Sequence, residues 1–491
     1  MAAVADVAGR VGLEQRVAEL EAALAAALGE IAQLRAVIVE RDAELVEARE
    51  RIADLTAQIN RNSSNSSVPP SSDGLAKKPA LPRKRGGKRG KQPGSPGRHL
   101  AQVDDPDEVV EHRPAACRGC GAGLDDAVQV GTSRRQVFDL PPVRLQVTEH
   151  RAVRCRCACG TVTSGTFPAV ASAPACYGPG VRAAIVYLTV VHHLPVARAA
   201  EVLSDLVGAP VASGTVAGVT GEAATKVTPA VEVIRRMLAD SKVAHFDETG
   251  ARVAGSLHWV HSASTDRLTH YTVHKRRGHV AMDAAGILPI FGGVAVHDCW
   301  SPYRHYPIDH ALCGAHLLRE LTAAAETGRQ DWAVTMSRVL LDGLDAADTA
   351  RTQGRDRIEP TVLADIVARY QEAIAAGHAA NPPPPKSGRR GRTKKSKPAN
   401  LLGRLDVLRD DVLRFTVDLD VPFTNNLAER DIRMTKLQQK VSGCWRTLAG
   451  AQAFATIRSY ISTARKHDTN VLDALRQAFD GNPWTPPAAI A

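Results

Sequence analysis

K-V-A-H-F-D-E-T, residues 242–249, is the stretch that decides the fold. Its apolar run, 243–246, ends on Asp247. A short apolar run bounded by polar residues is the pattern of a buried strand. G-V-A-V-H-D-C-W, residues 293–300, repeats it, with an apolar run at 293–297 followed by Asp298. Residues 257–262 and 268–273 read as two further strands, and helices follow from about residue 311. Strands first and helices afterwards predict an α/β fold, a mixed sheet flanked by helices.

A third carboxylate comes from V-P-F-T-N-N-L-A-E-R-D-I-R, residues 421–433. Glu429 stands there amid Asn425, Asn426, Arg430 and Arg433 at the expected start of a helix. A lone Asp at a strand end is usually a turn or cap residue. The joint pattern of strand–Asp, strand–Asp and helix–Glu is more specific. On adjacent strands Asp247 and Asp298 would face each other, at a cost that cations between them relieve. Oxygen ligands suit Mg²⁺ or Mn²⁺. Two such ions about 3.5–4 Å apart can run an in-line displacement at phosphorus. The expectation is therefore phosphodiester chemistry on nucleic acid. The neighbouring acids Glu248 and Asp431 are secondary ligands or solvent-facing.

Composition agrees with a polyanionic partner. The chain has 491 residues and a formal net charge of +10, which favours phosphate contacts. That length suggests about three or four domains. Hydrophobic residues make up 44% and aromatics only 4%, so the cores are expected to be aliphatic. With no run of about 18 apolar residues, no membrane span is expected. Nor does a signal peptide stand out. Five of the nine cysteines fall between Cys117 and Cys159. In a chain of this kind that clustering favours metal over disulfides. Cys176, Cys299, Cys313 and Cys444 are expected to be reduced.

Residues 11–60 carry a heptad. One seam row holds Val17, Leu24, Ile31, Ile38, Leu45, Ile52 and Ile59; the other holds Leu13, Leu20, Ala27, Leu34, Arg41, Ala48 and Leu55. Apolar residues fill every seam position but Arg41. A sustained 3.5-residue period predicts a coiled coil that joins copies of the chain, in preference to a helix docked on its own body. Residues 61–107 read as a disordered basic linker, with Arg83, Lys84, Arg85, Lys88 and Arg89 in an acid-free run. It is expected either to track the DNA backbone or simply to solubilise the chain.

Residues 108–175 read as a small zinc module. Cys117-x2-Cys120-Gly121 supplies one knuckle, and R-C-R-C-A-C-G, residues 154–160, supplies the partner half. Tetrahedral zinc takes four ligands: Cys117, Cys120, Cys159 and one of Cys157 or Cys155. Four thiolates leave no open position, so this Zn²⁺ would be structural. Residues 176–240 read as helical and fit a helix-turn-helix. Val196, Ala200 and Leu203 mark its first helix, Gly208 the turn and Ser213 the next cap. The same pattern also serves plain helix packing.

The remaining segments follow. Residues 241–310 and 420–450 form the expected catalytic core. A helical insertion, 311–419, separates them and carries a basic loop at 381–398. Residues 451–491 form a C-terminal helical region. Arg430, Arg433 and Lys436 on the Glu429 helix can bind flanking phosphates. His316 and Arg319, one turn apart, can face one substrate, or Arg319 can pair with Glu320. Trp300 and Trp445 can stack on bases, although burial is the commoner fate of Trp.

Several blocks together resemble a transposase of the insertion-sequence 66 family. They are the heptad arm with N-S-S-N-S-S and its basic linker, C-R-G-C-G, H-F-D-E-T-G, H-D-C-W-S-P-Y, C-G-A-H-L-L-R-E-L, N-N-L-A-E-R-D-I-R and K-V-S-G-C-W-R-T. The resemblance implies a ribonuclease-H-like domain with a large helical insertion and a D-D-E triad on Asp247, Asp298 and Glu429. It implies a metal-dependent enzyme that cleaves and joins DNA at the ends of an insertion sequence. Catalytic Mg²⁺ (or Mn²⁺), structural Zn²⁺, double-stranded DNA and accessory proteins would be its partners. Its place would be the bacterial cytoplasm, at the nucleoid when active. Thr424 departs from the family pattern, which has Asp there. The alternatives are a non-catalytic, zinc-containing DNA-binding regulator derived from a transposase, and a nuclease that cuts without joining.

Overall fold

The structure, a computed structural model, describes residues 2–59, 100–141, 143–326, 330–383 and 395–487. The basic cluster Arg83, Lys84, Arg85, Lys88 and Arg89 lies outside the described residues, as does 384–394 of the second basic loop.

Helix α1 (Ala2–Ile59) presents its seam to solvent: Leu20, Leu24, Ile31, Ile38 and Ile52 are all exposed. It is therefore not docked along that seam on the described body. Within it, Glu19–Asp42 is long and apolar enough to cross a membrane by length and composition. The expectation of no membrane span rested on the lack of an unbroken run of about 18 apolar residues, and that lack stands. Alanines raise its hydropathy without forming an unbroken apolar run, because Glu21, Glu30, Arg35 and Glu40 interrupt it. The cysteine-rich segment is largely irregular and holds one small hairpin, β1 (Arg154–Arg156) against β2 (Val162–Ser164).

One five-stranded sheet organises the body. Its strands are β3 (Val243–Val253), β4 (Ser256–Ser264), β5 (Thr269–His274), β6 (Val294–His297) and β7 (Asp309–Leu312). They lie in the order β5-β4-β3-β6-β7. The first three form an antiparallel meander, and β6 and β7 run parallel to β3. Ala254 and Gly255, both at positive φ, turn the β3–β4 hairpin. Two expectations need correction. β3 does not stop at residue 246: it pairs with β4 as far as Val253, so Asp247 lies inside a strand. And 309–312 is a strand where helix was expected from about 311. A run of four residues is too short for its period to tell the two apart.

Helices cover the sheet. α2 (Pro179–Val186) continues as a π-turn, Tyr187–Val191, and α3 (Val196–Val207) follows. Gly208, at φ 67°, then leads to α4 (Ser213–Ala239). Ala212 is the N-cap of α4 and Ser213 its first helical residue, so Ser213 is not the cap. Ala199 and Leu203 are the buried residues of α3, whereas Val196 is exposed. After α5 (His279–Ala285) come α6 (Gly314–Glu326), α7 (Asp331–Thr352), α8 (Pro360–Ala380), α9 (Lys397–Val407) and α10 (Arg409–Val417). The chain ends with α11 (Asn426–Ser442), α12 (Leu448–Lys466) and α13 (Val471–Phe479).

Strand alternation divides the cores. Ala244, Phe246 and Ala295 face a cluster with Ile234 and Leu238 of α4 and with Tyr303. Val243, Val294 and Val296 face the opposite way, into the cluster built by α6 to α10. A third core joins α2, α3 and α4 to α12 and α13, so the segments 176–240 and 451–491 pack together.

Candidate active site

The same alternation places two acids together. Residues 243, 245 and 247 share one face of β3, Val294 and Val296 face the same way on the neighbouring parallel strand, and Asp298 comes directly after its end. The register pairs His245 with Val296. Asp247 follows two residues further along β3 and Asp298 just past the end of β6, close enough for the charge of Asp298 to raise the Asp247 carboxyl. Glu429 reaches the same region from the first turn of α11. Burial raises the Asp247 carboxyl well above the ordinary range, and the charges of Glu248, Asp298 and Glu429 raise it further. Cations relieve repulsion of this kind.

Each Asp keeps one oxygen on the backbone. Asp247 Oδ1 accepts from the Glu248 N–H at 2.9 Å, and Asp298 Oδ1 accepts from the Trp300 N–H at 3.0 Å. Cys299 between them sits at φ 72°, a conformation costly for a residue with a Cβ. His297 holds it there: its Nδ1 accepts the Cys299 N–H at 3.1 Å. Its proton is therefore on Nε2, which donates to His310 Nδ1 at 3.1 Å; His310 Nε2 in turn donates to the Tyr306 carbonyl at 3.2 Å. Burial pushes His297 down to about 3, so the relay is neutral.

Asn425 fixes where α11 begins. Buried at 1% exposure, it donates from Nδ2 to the Phe246 carbonyl at 2.8 Å and accepts at Oδ1 from His245 Nδ1 at 2.9 Å. Its own N–H donates to Cys313 Sγ at 3.1 Å. Two residues after Glu429, Asp431 accepts from Ser264, Thr269 and Lys466 at 2.8–3.0 Å. Asp431 is thus a buried anchor of α11, neither a ligand nor a surface acid. Glu248 is equally committed, on the other face of β3. Arg277 donates to its Oε1 from Nε and Nη2, and the Tyr303 hydroxyl donates to its Oε2 at 2.6 Å. The Arg277 guanidinium lies 3.9 Å from the Trp300 ring and 4.8 Å from the Trp259 ring. Trp300 is therefore occupied by a cation of the chain itself.

His316 and Arg319 on α6 flank the third acid. His316 Nδ1 lies 3.6 Å from Glu429 Oε1, and Arg319 Nη2 lies 4.0 Å from Oε2. Glu320 pairs instead with Arg404. Only glycine fits at 314, because a Cβ there would land in the Phe423 ring. Among the described residues, one group of three or more His, Cys, Asp or Glu gathers its ligand atoms within 4.8 Å: Cys313, His316 and Glu429. Asp247, Asp298 and Glu429 are spread more widely than that, as a two-ion site allows. Their oxygen donors fit Mg²⁺ or Mn²⁺. Glu429 Oε1, buried without a hydrogen-bond partner, is free to ligate.

Two knuckles stand in the cysteine-rich segment. In the first, the Gly121 N–H closes on the Cys117 carbonyl at 2.9 Å, with Gly121 at φ 78°. In the second, the Gly160 N–H closes on the Cys157 carbonyl at 2.9 Å, with Gly160 at φ 87°. Cys155 lies instead on β1, opposite Thr163. Hydrogen bonds from Thr161 and Cys157 lower the Cys159 thiol to about 7, and backbone N–H groups of Gly119 and Cys120 lower Cys117. Each half is thus disposed toward thiolate. The two halves are not brought into one ligand sphere.

The family model described as Transposase IS66 family matches residues 174–453, more than half of the chain. The chain belongs to this transposase family. A zinc-finger binding domain of transposase IS66 matches residues 114–160, the segment with all five clustered cysteines. A family of unknown function matches residues 14–101. No curated protein matches the chain.

Around the site of this transposase, Arg430 and Arg433 are exposed on α11. Lys436 is also exposed, yet its Nζ donates to the Gly250 carbonyl at 2.6 Å and ties α11 to β3. Trp445 packs on Phe454 and bridges to Val253. Sequence reasoning missed Arg277, Lys466 and the His297–His310 pair. No local spacing signals them, because each partner is brought by the fold. The run H-K-R-R-G-H, residues 274–279, was the one visible hint, a basic loop directly after a strand.

Proposed function

We propose that this transposase cleaves and joins DNA strands at the ends of an insertion sequence, with Asp247, Asp298 and Glu429 as its catalytic carboxylates. One observation carries the reading. Asp247, raised first by burial and by its neighbour Glu248, is close enough to Asp298 at the end of β6 and to Glu429 at the start of α11 for both of their charges to raise it further. Mg²⁺ (or Mn²⁺) held by these three would supply charge neutralisation at the phosphate and an activated oxygen nucleophile. The chain does the positioning. The Glu248 and Trp300 N–H groups each occupy one oxygen of an Asp, which leaves the other for the ion. Asn425 and Asp431 hold α11 so that Glu429 faces the sheet. Arg430 and Arg433, exposed on α11, would meet DNA phosphates; Arg319, His316, Lys436 and the linker residues Arg83, Lys84, Arg85, Lys88 and Arg89 are the further contacts of this reading.

The strand order, an antiparallel meander followed by two parallel strands, supports a ribonuclease-H-like core with α6 to α10 as its insertion. Structural Zn²⁺ would take Cys117, Cys120, Cys157 and Cys159, since Cys157 and not Cys155 closes the second knuckle, and binding would have to draw the two halves together. The solvent-facing seam of α1 supports a homo-oligomer through a coiled coil. The working partners are double-stranded DNA and accessory proteins, in the bacterial cytoplasm. A strand-transfer assay with Mg²⁺ tests the reading. Asp247→Asn, Asp298→Asn and Glu429→Gln should each abolish joined products while DNA binding persists. Undiminished joining by Asp247→Asn would overturn it.

A further inference from the structure

We infer that Cys313, His316 and Glu429 form a second metal site, one for a thiophilic divalent ion of the Zn²⁺ class, which competes with the catalytic ion for Glu429. The inference deepens the proposed reading, since Glu429 is shared.

The geometry comes first. Cys313 Sγ, His316 Nδ1 and a Glu429 oxygen all lie within 4.8 Å of one another. The His316 Nδ1 to Glu429 Oε1 separation is 3.6 Å. That is too long for a good hydrogen bond. It approaches the separation of about 3.3–3.4 Å between two ligands of one tetrahedral ion with bonds near 2.0–2.1 Å. Both atoms are buried and neither has a hydrogen-bond partner. An ion between them satisfies both. The sulfur completes the group. Cys313 immediately precedes α6, and its Sγ accepts the Asn425 N–H at 3.1 Å. Backbone N–H groups directed at a sulfur are the outer-shell support seen around metal thiolates.

The donor set decides the ion. A thiolate, an imidazole and one carboxylate oxygen suit Zn²⁺ and not Mg²⁺, which takes oxygen ligands in octahedral geometry. Three protein ligands leave a fourth position for water. Arg319 meets the other oxygen, Oε2, at 4.0 Å, so it opposes the ion's charge without blocking Oε1. A Glu429 bound in this way is withdrawn from Asp247 and Asp298. Zn²⁺ at this site therefore holds the transposase in a resting state.

The test is metal binding by the full-length protein, with its cysteine knuckles first saturated with Zn²⁺ and excess removed. Co²⁺ is then titrated in, and the thiolate-to-cobalt charge-transfer band is followed. Wild type should gain one equivalent with that band. Cys313→Ser should lose the band, and His316→Gln should weaken binding at least tenfold. Cys117→Ser, loaded alike, should keep the extra equivalent. If Cys313→Ser fails to fold, His316→Gln decides alone. Equal Co²⁺ stoichiometry and spectrum in wild type and a folded His316→Gln would overturn the proposal. The readout does not depend on DNA cleavage, so this site and the catalytic triad can fail separately.

Discussion

Asn425 donates its side-chain amide to the carbonyl of Phe246 at 2.8 Å, and this one bond joins the helix of Glu429 to the strand of Asp247. The other amide atom takes the His245 proton at 2.9 Å. Because both partners directly precede Asp247, the start of α11 is set against the point where the acids meet. Asn425→Ala leaves His245 and the Phe246 carbonyl unpaired in the interior. It should cost on the order of 2–4 kcal/mol in urea denaturation, from two unsatisfied buried groups. Strand transfer should fall further than stability does, since Glu429 loses its register.

Asp431 and Lys466 make a second clamp, a pair at 2.8 Å with both side chains mostly buried. Removing either partner alone strands a buried charge and should cost about 3–5 kcal/mol. Replacing both, as Asp431→Leu with Lys466→Met, should recover most of that loss. A double-mutant cycle by chemical denaturation measures the coupling; additive losses would show that the pair does not act as a unit.

The raised Asp247 carboxyl links stability to divalent ions. Its folded form prefers the proton more than the unfolded chain does. Its contribution is present in full below the unfolded value near 4 and is lost as pH rises through the folded value. At pH 8 without Mg²⁺, Asp247→Asn should therefore melt at a higher temperature than wild type. Added Mg²⁺ should raise the melting point of wild type and leave the variant nearly unmoved.

Acid should destabilise the protein through buried histidines of β4 and β5. Burial lowers His261 and His270 to about 4 each. Such groups are neutral in the fold, so their contribution is complete above the unfolded value of about 6.5 and is lost as pH falls toward the folded one. Stability should decline by several kcal/mol between about pH 6.5 and pH 4. His270→Leu should move the acid-unfolding midpoint to lower pH, as followed by circular dichroism.

The exposed α1 seam predicts association. Leu24 and Ile31 are 61% and 46% exposed, too much apolar surface for a lone helix to leave in water. Light scattering on the intact chain should give a multiple of the monomer mass. Leu24→Glu with Ile31→Glu should return it to the monomer.

Much of this was legible in the residues. The heptad is visible because its period repeats across many turns. The knuckles are visible because cysteine and glycine each have few reasons to be so spaced. Asp247 and Asp298 stood out because each follows a short apolar run, although β3 carries on past Asp247, and Glu429 because it opens a helix. What escaped were pairs without a period: β7, whose four residues are too few to show one, and Asp431 with Lys466, which belong to different helices.

Sequence alone determined the long periodic elements and the residue types that could do chemistry, since periodicity and side-chain donors are local properties. Tertiary structure alone decided which donors are free. Glu248 and Asp431 are carboxylates like the other three, yet Arg277, Tyr303 and Lys466 claim them, whereas Glu429 Oε1 is left without a partner. Availability depends on which distant groups the packing delivers within about 3 Å of an oxygen, and no spacing along the chain encodes that.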